Sequence, residues 1–258
     1  MLRDTYMGNS FSVSLKKVWA ISMTAQNFFQ CKPCLFAEVS NRSHAGKAIA
    51  KLKTLIYNYN LSKFPATYRS ISPELWPIVL ILIFSLVADI ISVVIIHHGL
   101  NSLLIGNIFL LIQFSLLAYL FKKQSYFIKT SLIVYVFFVI FFTFNIIFYE
   151  GPWKLNSASN VLASIILITF SMYYLYRLLH DLPVLHIHKL PMLWICFAIL
   201  VYYGGNFFLF LAGNYLSETP AFQRSVWILH NLLNVIKNLL FAIALWQNYR
   251  NVKSSLSS

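Results

Sequence analysis

Six stretches of the chain carry apolar side chains for about twenty residues at a time, with only a few polar residues between one stretch and the next. They lie near 76–97, 102–121, 127–149, 159–178, 192–213 and 225–247. Twenty residues at about 1.5 Å each match a hydrocarbon core about 30 Å thick, so each stretch predicts a membrane-spanning helix. Strands are disfavoured because a segment in lipid must satisfy its own backbone N–H and C=O groups, and the stretches lack the alternation of barrel strands. The pattern therefore predicts an all-α polytopic membrane helix bundle of about six transmembrane helices over 76–249.

Residues 1–75 follow another pattern. Ala48, Ile49, Leu52, Leu55 and Ile56 recur at helical spacing with Lys47, Lys51 and Lys53 among them, which predicts an amphipathic interfacial helix in a basic cytoplasmic segment. Met1–Ser14 is polar and no compact apolar core follows it, so a secretory signal peptide is not expected and insertion falls to the later helices. Residues 250–258 read as a short cytoplasmic tail, frayed from Ser254.

Composition sharpens the picture. Of the 258 residues 59% are hydrophobic and only 10% charged, against about 25% charged in ordinary soluble domains. The net charge of +13 would suit a nucleic-acid partner if the basic residues were clustered on one face. They are not: ten of the twenty precede residue 75 and most of the rest fall in the gaps between apolar stretches. That distribution orients a membrane protein. One set of gaps holds Lys122, Lys123, Lys129, Arg177, Lys189, Arg250 and Lys253 besides the N-terminal ten, and the alternate set holds only Lys154 and Arg224. The excess predicts both termini in the cytoplasm, with the turn from His97 to Asn101 outside. Trp76, Tyr149, Trp153, Trp194, Trp227, Trp246 and Tyr249 fall near the span ends, at headgroup level. The expected partners are thus the bilayer itself and anionic lipid headgroups at the basic N-terminal segment, with no nucleic acid.

Chemistry must come from polar residues inside the spans. Asp89 is the only acidic residue deep in a span and Lys237 the only deep basic one. Each costs about 2.5–3.5 kcal/mol in a helix centre, so each marks a candidate site, and their similar depth would let them pair if the first and last helices were neighbours. Ser85, Asp89 and Ser92 share one helical sector, and His230, Asn234, Lys237 and Asn238 form a stripe on the last helix. Asn107, Gln113, Asn145, Asn160, Ser164, Ser171 and Asn206 could join the same interior. The expected binding residues are Asp89, Lys237, His230, Asn234, Asn238 and Asn206. Such a set could bind a small solute, a lipid headgroup or a proton, or it could simply hold helices together through hydrogen bonds.

Three rival readings were open to these residues. Ser85, Asp89 and His230 supply the residue types of a lipid-modifying membrane hydrolase, although no G-x-S-x-G or H-E-x-x-H motif appears. A membrane-anchored scaffold or sensory module could use the basic segment to meet its partners. A lysine in the last helix with a carboxylate counter-ion suits retinal proteins, but six spans and the residues around Lys237 match no signature of theirs, so no cofactor is expected. There is no phosphate-binding G-x-x-x-x-G-K-[ST] loop for ATP-driven transport.

Other motifs are weak. Cys31-Lys32-Pro33-Cys34 lacks a second ligand pair, and with Cys196 the cysteine count is odd. His180, Asp181, His186 and His188 have no standard zinc spacing and predict polar anchoring at the interface, as do His97 and His98; no metal is expected. Gly204 and Gly205 predict close helix packing or a hinge.

The run from Tyr202 through Gly204-Gly205-Asn206 to Phe210, then Trp227 to Asn234 and Ala242 to Leu245, resembles small multi-pass bacterial inner-membrane proteins that carry no functional assignment. The likeness extends from about residue 72 onward and implies the bacterial inner membrane as location, without implying an activity. Those proteins carry a further apolar helix before the one at Trp76, where this chain has its basic segment.

Overall fold

The computed structural model describes residues 72–98, 101–124, 128–154, 156–181, 187–216 and 220–256. The amphipathic stretch near 47–56 and the Cys31–Cys34 pair lie outside the described residues. Among the described residues there are six helices: α1 Trp76–His97, α2 Leu103–Lys123, α3 Ile128–Phe148, α4 Ser157–Asp181, α5 Pro191–Leu216 and α6 Pro220–Leu256, with a 3-10 turn at Ile187–Lys189 before α5. No strand occurs among the described residues.

Local chemistry sets the helix ends. Proline opens α5 and α6, where its fixed φ suits the first turn and its missing N–H costs nothing. At the end of α3 the N–H groups of Tyr149 and Glu150 both return to the Asn145 carbonyl, and Gly151 follows at φ 74° in the left-handed region glycine tolerates. The last helix outruns its apolar stretch at both ends, because hydrophobicity marks only the part that meets hydrocarbon. Its C-terminal turns, expected to fray, are tied down: Asn251 Nδ2 donates to the Lys189 carbonyl at 2.9 Å and Ser254 Oγ to that of Asn251 at 2.8 Å.

Among the described residues five helices are long and apolar enough to cross a bilayer, and the apolar stretch of α1 over Trp76–Ser92 is shorter. The outer surface confirms what solvent they meet. On α3, Ile133, Phe137, Ile140, Phe144 and Ile147 recur on one face, and Ile133 is 70% exposed. An uninterrupted stripe of this kind would be untenable in water and is ordinary against hydrocarbon. The chain is an integral membrane protein.

The helices pack as two sets of three. In one set α1 lies on α2 and α2 on α3; in the other α4 lies on α5 and α5 on α6. The sets join where α4 meets α2 and α3. Phe114 stacks on Phe138 with ring centroids 3.8 Å apart, and Phe121 meets Phe170 edge-on across the join. Along the opposite edge α1 and α6 have no comparable packing. They are latched at one end, where Ser72 Oγ donates to Asn248 Oδ1 at 2.9 Å.

The tightest approach is between α5 and α6. A Cβ built on Gly205 would overlap the side chain of Leu233, whereas one on Gly204 would meet nothing. Gly205 is the close-packing residue of the pair. Gly205→Val should therefore lower stability in detergent by roughly 2 kcal/mol, the scale of an overpacked contact. Thermal unfolding of Gly205→Val with Leu233→Ala should recover most of that loss; a double variant no better than the single would show that the glycine serves some other purpose.

Candidate intramembrane polar site

Lys237 sits at the centre of the buried face of α6 and is fully buried. Its span runs from Ile228 to Val252, so the ammonium lies near mid-depth. The Nζ atom stands 4.1 Å from the centroid of the Tyr202 ring on α5 and 5.9 Å from that of Phe109 on α2. It makes no hydrogen bond to any described residue. The charge of Asp89, half-buried on α1, acts on both Lys237 and Tyr202, but the carboxylate is not hydrogen-bonded to the ammonium. Four helices thus converge on one cation.

Around it runs a chain of oriented groups. Asn206 Nδ2 donates to the Tyr202 carbonyl one turn earlier at 2.8 Å, which turns its Oδ1 toward α6. There it meets His230 Nδ1 at 2.6 Å. An amide oxygen can only accept, so Nδ1 carries the proton and Nε2 is the ring's acceptor nitrogen. The imidazole lies between the rings of Tyr202 and Phe210, at 5.9 and 6.0 Å. Behind this pair Gln113 Nε2 donates to Tyr203 Oη at 2.9 Å and ties α2 to α5.

Magnitudes show what is missing. A desolvated cation–π contact contributes up to about 2 kcal/mol, while a lysine at this depth costs about 2.5–3.5 kcal/mol. Phe109 and Tyr202 alone do not offset the burial, so the remainder falls to Asp89 acting through space or to something bound. Asn234, buried one turn before Lys237, has an Oδ1 without a hydrogen bond, and so do the buried Nδ2 of Asn231 and Oδ1 of Asn238. Native interiors seldom leave so many polar atoms of one helix unsatisfied.

The remaining expected residues divide. Ser85 and Ser92 are buried on α1, but Ser85 Oγ makes no hydrogen bond to Asp89 or His230 among the described residues. The hydroxyl–imidazole contact a hydrolase needs is not formed. Asn107 and Asn145 do not join the interior. Asn107 docks the α3–α4 connection by donating to the Pro152 and Lys154 carbonyls at 3.0 and 3.1 Å, while Asn145 belongs to a separate cluster with Glu150, Asn156 and Ser159. Asn160 and Ser164 bond back along α4. His180 Nδ1 and Asp181 Oδ1 meet at 3.1 Å on the exposed end of α4; no group of three metal-ligating side chains occurs among the described residues.

No family model, no characterised protein and no solved structure is similar to the chain. The site must be read on its own chemistry.

Tyr202, Tyr203 and Phe109 were not singled out as site residues from the sequence. Tyr202 precedes Asn206 by one helical turn, so the two share a face, and that spacing was the available signal. Phe109 offered none, because a phenylalanine in an apolar stretch is the commonest of core residues.

Proposed function

We propose that the protein binds a small solute or lipid carrying an anionic group inside the membrane, and passes or presents it there, with Lys237 as the group that holds it. The observation that carries this reading is a fully buried lysine near mid-span whose three N–H donors are all unused. Asn234, Asn238 and Asn231 line the same helix with further unused donors and acceptors. Asp89 supplies the counter-charge when the site is empty, and the Asn206–His230 pair fixes the geometry above it. Glue between helices accounts less well for this arrangement, since glue works through hydrogen bonds that are made.

Thermal unfolding of the purified chain against panels of organic anions, organic cations, neutral solutes and lipids tests the proposal. Anions should raise Tm, and Lys237→Met should abolish the rise. A Tm unmoved by every panel, or moved equally in the variant, would overturn it.

The setting proposed is a bacterial inner membrane with both termini in the cytoplasm and the basic N-terminal segment against anionic headgroups. The asymmetry of Lys and Arg between alternate connections supports it. Reporter fusions at the two termini should both report the cytoplasm; opposite sides would contradict it.

A further inference from the structure

Lys237 is held by ring faces, and the side chains that hold the rings come from both sets of helices. The ring of Tyr202 lies closer to the ammonium than that of Phe109, at 4.1 Å against 5.9 Å. A cation–π contact depends on the charge standing over the ring face. A buried ammonium with no hydrogen bond therefore stays where Tyr202 puts it.

Tyr202 is braced on two sides. On one, the His230 ring stands 5.9 Å away and is itself fixed by Asn206, all within α5 and α6. On the other, the Tyr203 ring meets Tyr202 edge-on, with centroids 5.0 Å apart and planes at 88°. The second brace would be loose if the Tyr203 ring were free to swing about χ1 and χ2. It is not free: Gln113 Nε2 donates to Tyr203 Oη at 2.9 Å, and both side chains are buried. Breaking that bond would leave polar groups without partners away from water, so it is made persistently. Gln113 belongs to α2, in the other set of helices, and α2 and α5 have little backbone packing of their own. Phe109 lies one turn earlier on the same helix. So α2 reaches the cation twice, directly through Phe109 and indirectly through the two tyrosines.

We infer that Gln113 is a positioning residue for the Lys237 site: by fixing Tyr203 it fixes the Tyr202 ring, and so sets where the ammonium stands. Its bearing on anion binding rests on the reading of Lys237 as the group that holds the ligand; the placement of the ammonium does not. A glutamine that served only as glue would hold α2 to α5 and leave Lys237 indifferent to its loss.

Nuclear magnetic resonance of the full chain in detergent, isotope-labelled at the lysine Cε, reads the placement directly. Protons over an aromatic face are moved upfield by its ring current. The Lys237 Cε protons, identified by the signal missing from Lys237→Met, should therefore stand upfield of those of exposed lysines. Gln113→Met and Tyr203→Phe should each remove at least half of that displacement, and the double variant no more than either alone. Ser115→Ala, on the same helix but in contact with Leu111 and Tyr135 instead, should leave it whole. Should Gln113→Met fail to fold, Tyr203→Phe keeps the ring, loses only the hydroxyl and carries the test alone. A displacement unchanged in these variants would overturn the positioning role and leave Lys237 as the anion-holding group. A displacement absent from the unaltered chain would overturn it too, since the ammonium would then lie off the Tyr202 ring. No ligand enters the measurement, so a Tm unmoved by every anion would overturn the binding reading and not this one.

Discussion

Asp89→Asn should be the most damaging conservative change in the bundle, lowering stability by about 3 kcal/mol and Tm by roughly 8 °C. The substitution preserves shape and alters only charge. Lys237 is fully buried, makes no hydrogen bond and has only ring faces and a distant carboxylate to stabilise it. Removing the carboxylate charge leaves the ammonium uncompensated. Lys237→Met should also lose stability, because it removes a burial cost of about 2.5–3.5 kcal/mol but sacrifices a cation–π contact of at most about 2 kcal/mol together with the same attraction to Asp89. The half-buried Asp89 left behind retains access to other groups. A loss of about 2 kcal/mol is expected, and the double variant should recover much of it rather than show the sum of two losses. Chemical or thermal unfolding of all four proteins in one detergent gives the coupling directly. Strict additivity would mean that the two charges do not interact, and the electrostatic account of the site would be wrong.

A lysine that costs about 2.5–3.5 kcal/mol to bury and makes no hydrogen bond in return is kept for a reason other than folding. Natural proteins tolerate such costs chiefly where function requires them, since unfavourable burial is otherwise easily lost by substitution. Within this bundle the cost is concentrated at one point, and the neighbours of that point are arranged with care: Asn206 is locked by a backbone bond, His230 by Asn206, and Tyr203 by Gln113. Rigid surroundings about an unsatisfied cation are what a preformed site for an anion requires.

Much of this could be read in the sequence, and the part that could not has a physical reason. The six helices were legible because hydrocarbon demands about twenty apolar residues per crossing, and the observed ends of α1 to α4 lie within three residues of the apolar stretches. The excess length of α6 was not, since beyond the bilayer a helix is held by contacts such as Asn251 with Lys189 and hydropathy says nothing about it. Asp89, His230, Asn234, Lys237 and Asn206 were legible because polar residues in apolar stretches are conspicuous. Their partners were not. Sequence shows that Asn206 and Asn145 are both buried asparagines, but only the tertiary fold sends one to His230 near mid-depth and the other to a helix cap at the end of α3.

That cap supplies the second large effect. Asn156 stands just before α4 and accepts the Ser159 N–H with its Oδ1 at 3.3 Å, while Glu150 Oε1 accepts the Ala158 N–H at 3.4 Å. Two of the donors left open at the start of α4 are thereby satisfied, one by a carboxylate that also suits the positive end of the helix. Both caps are gripped by Asn145 on α3, whose Nδ2 lies 2.7 Å from Glu150 Oε2 and 2.5 Å from Asn156 Oδ1. Replacing Asn145 with leucine would keep the volume and strip the donor from a buried acceptor, Asn156, and a half-buried one, Glu150, at the edge where the two sets of helices join. Each abandoned acceptor costs about 1–3 kcal/mol, more for the charged one, so Asn145→Leu should lose about 3 kcal/mol and roughly 8 °C in Tm. Thr143→Val, two residues away on the exposed side of α3 where Oγ1 merely bonds back to Val139, should change stability by less than about 0.5 kcal/mol. If the two variants unfold at the same temperature, the cap does not hold the closed edge, and the fold's firmness there must come from the packing of Phe121 and Phe170 instead.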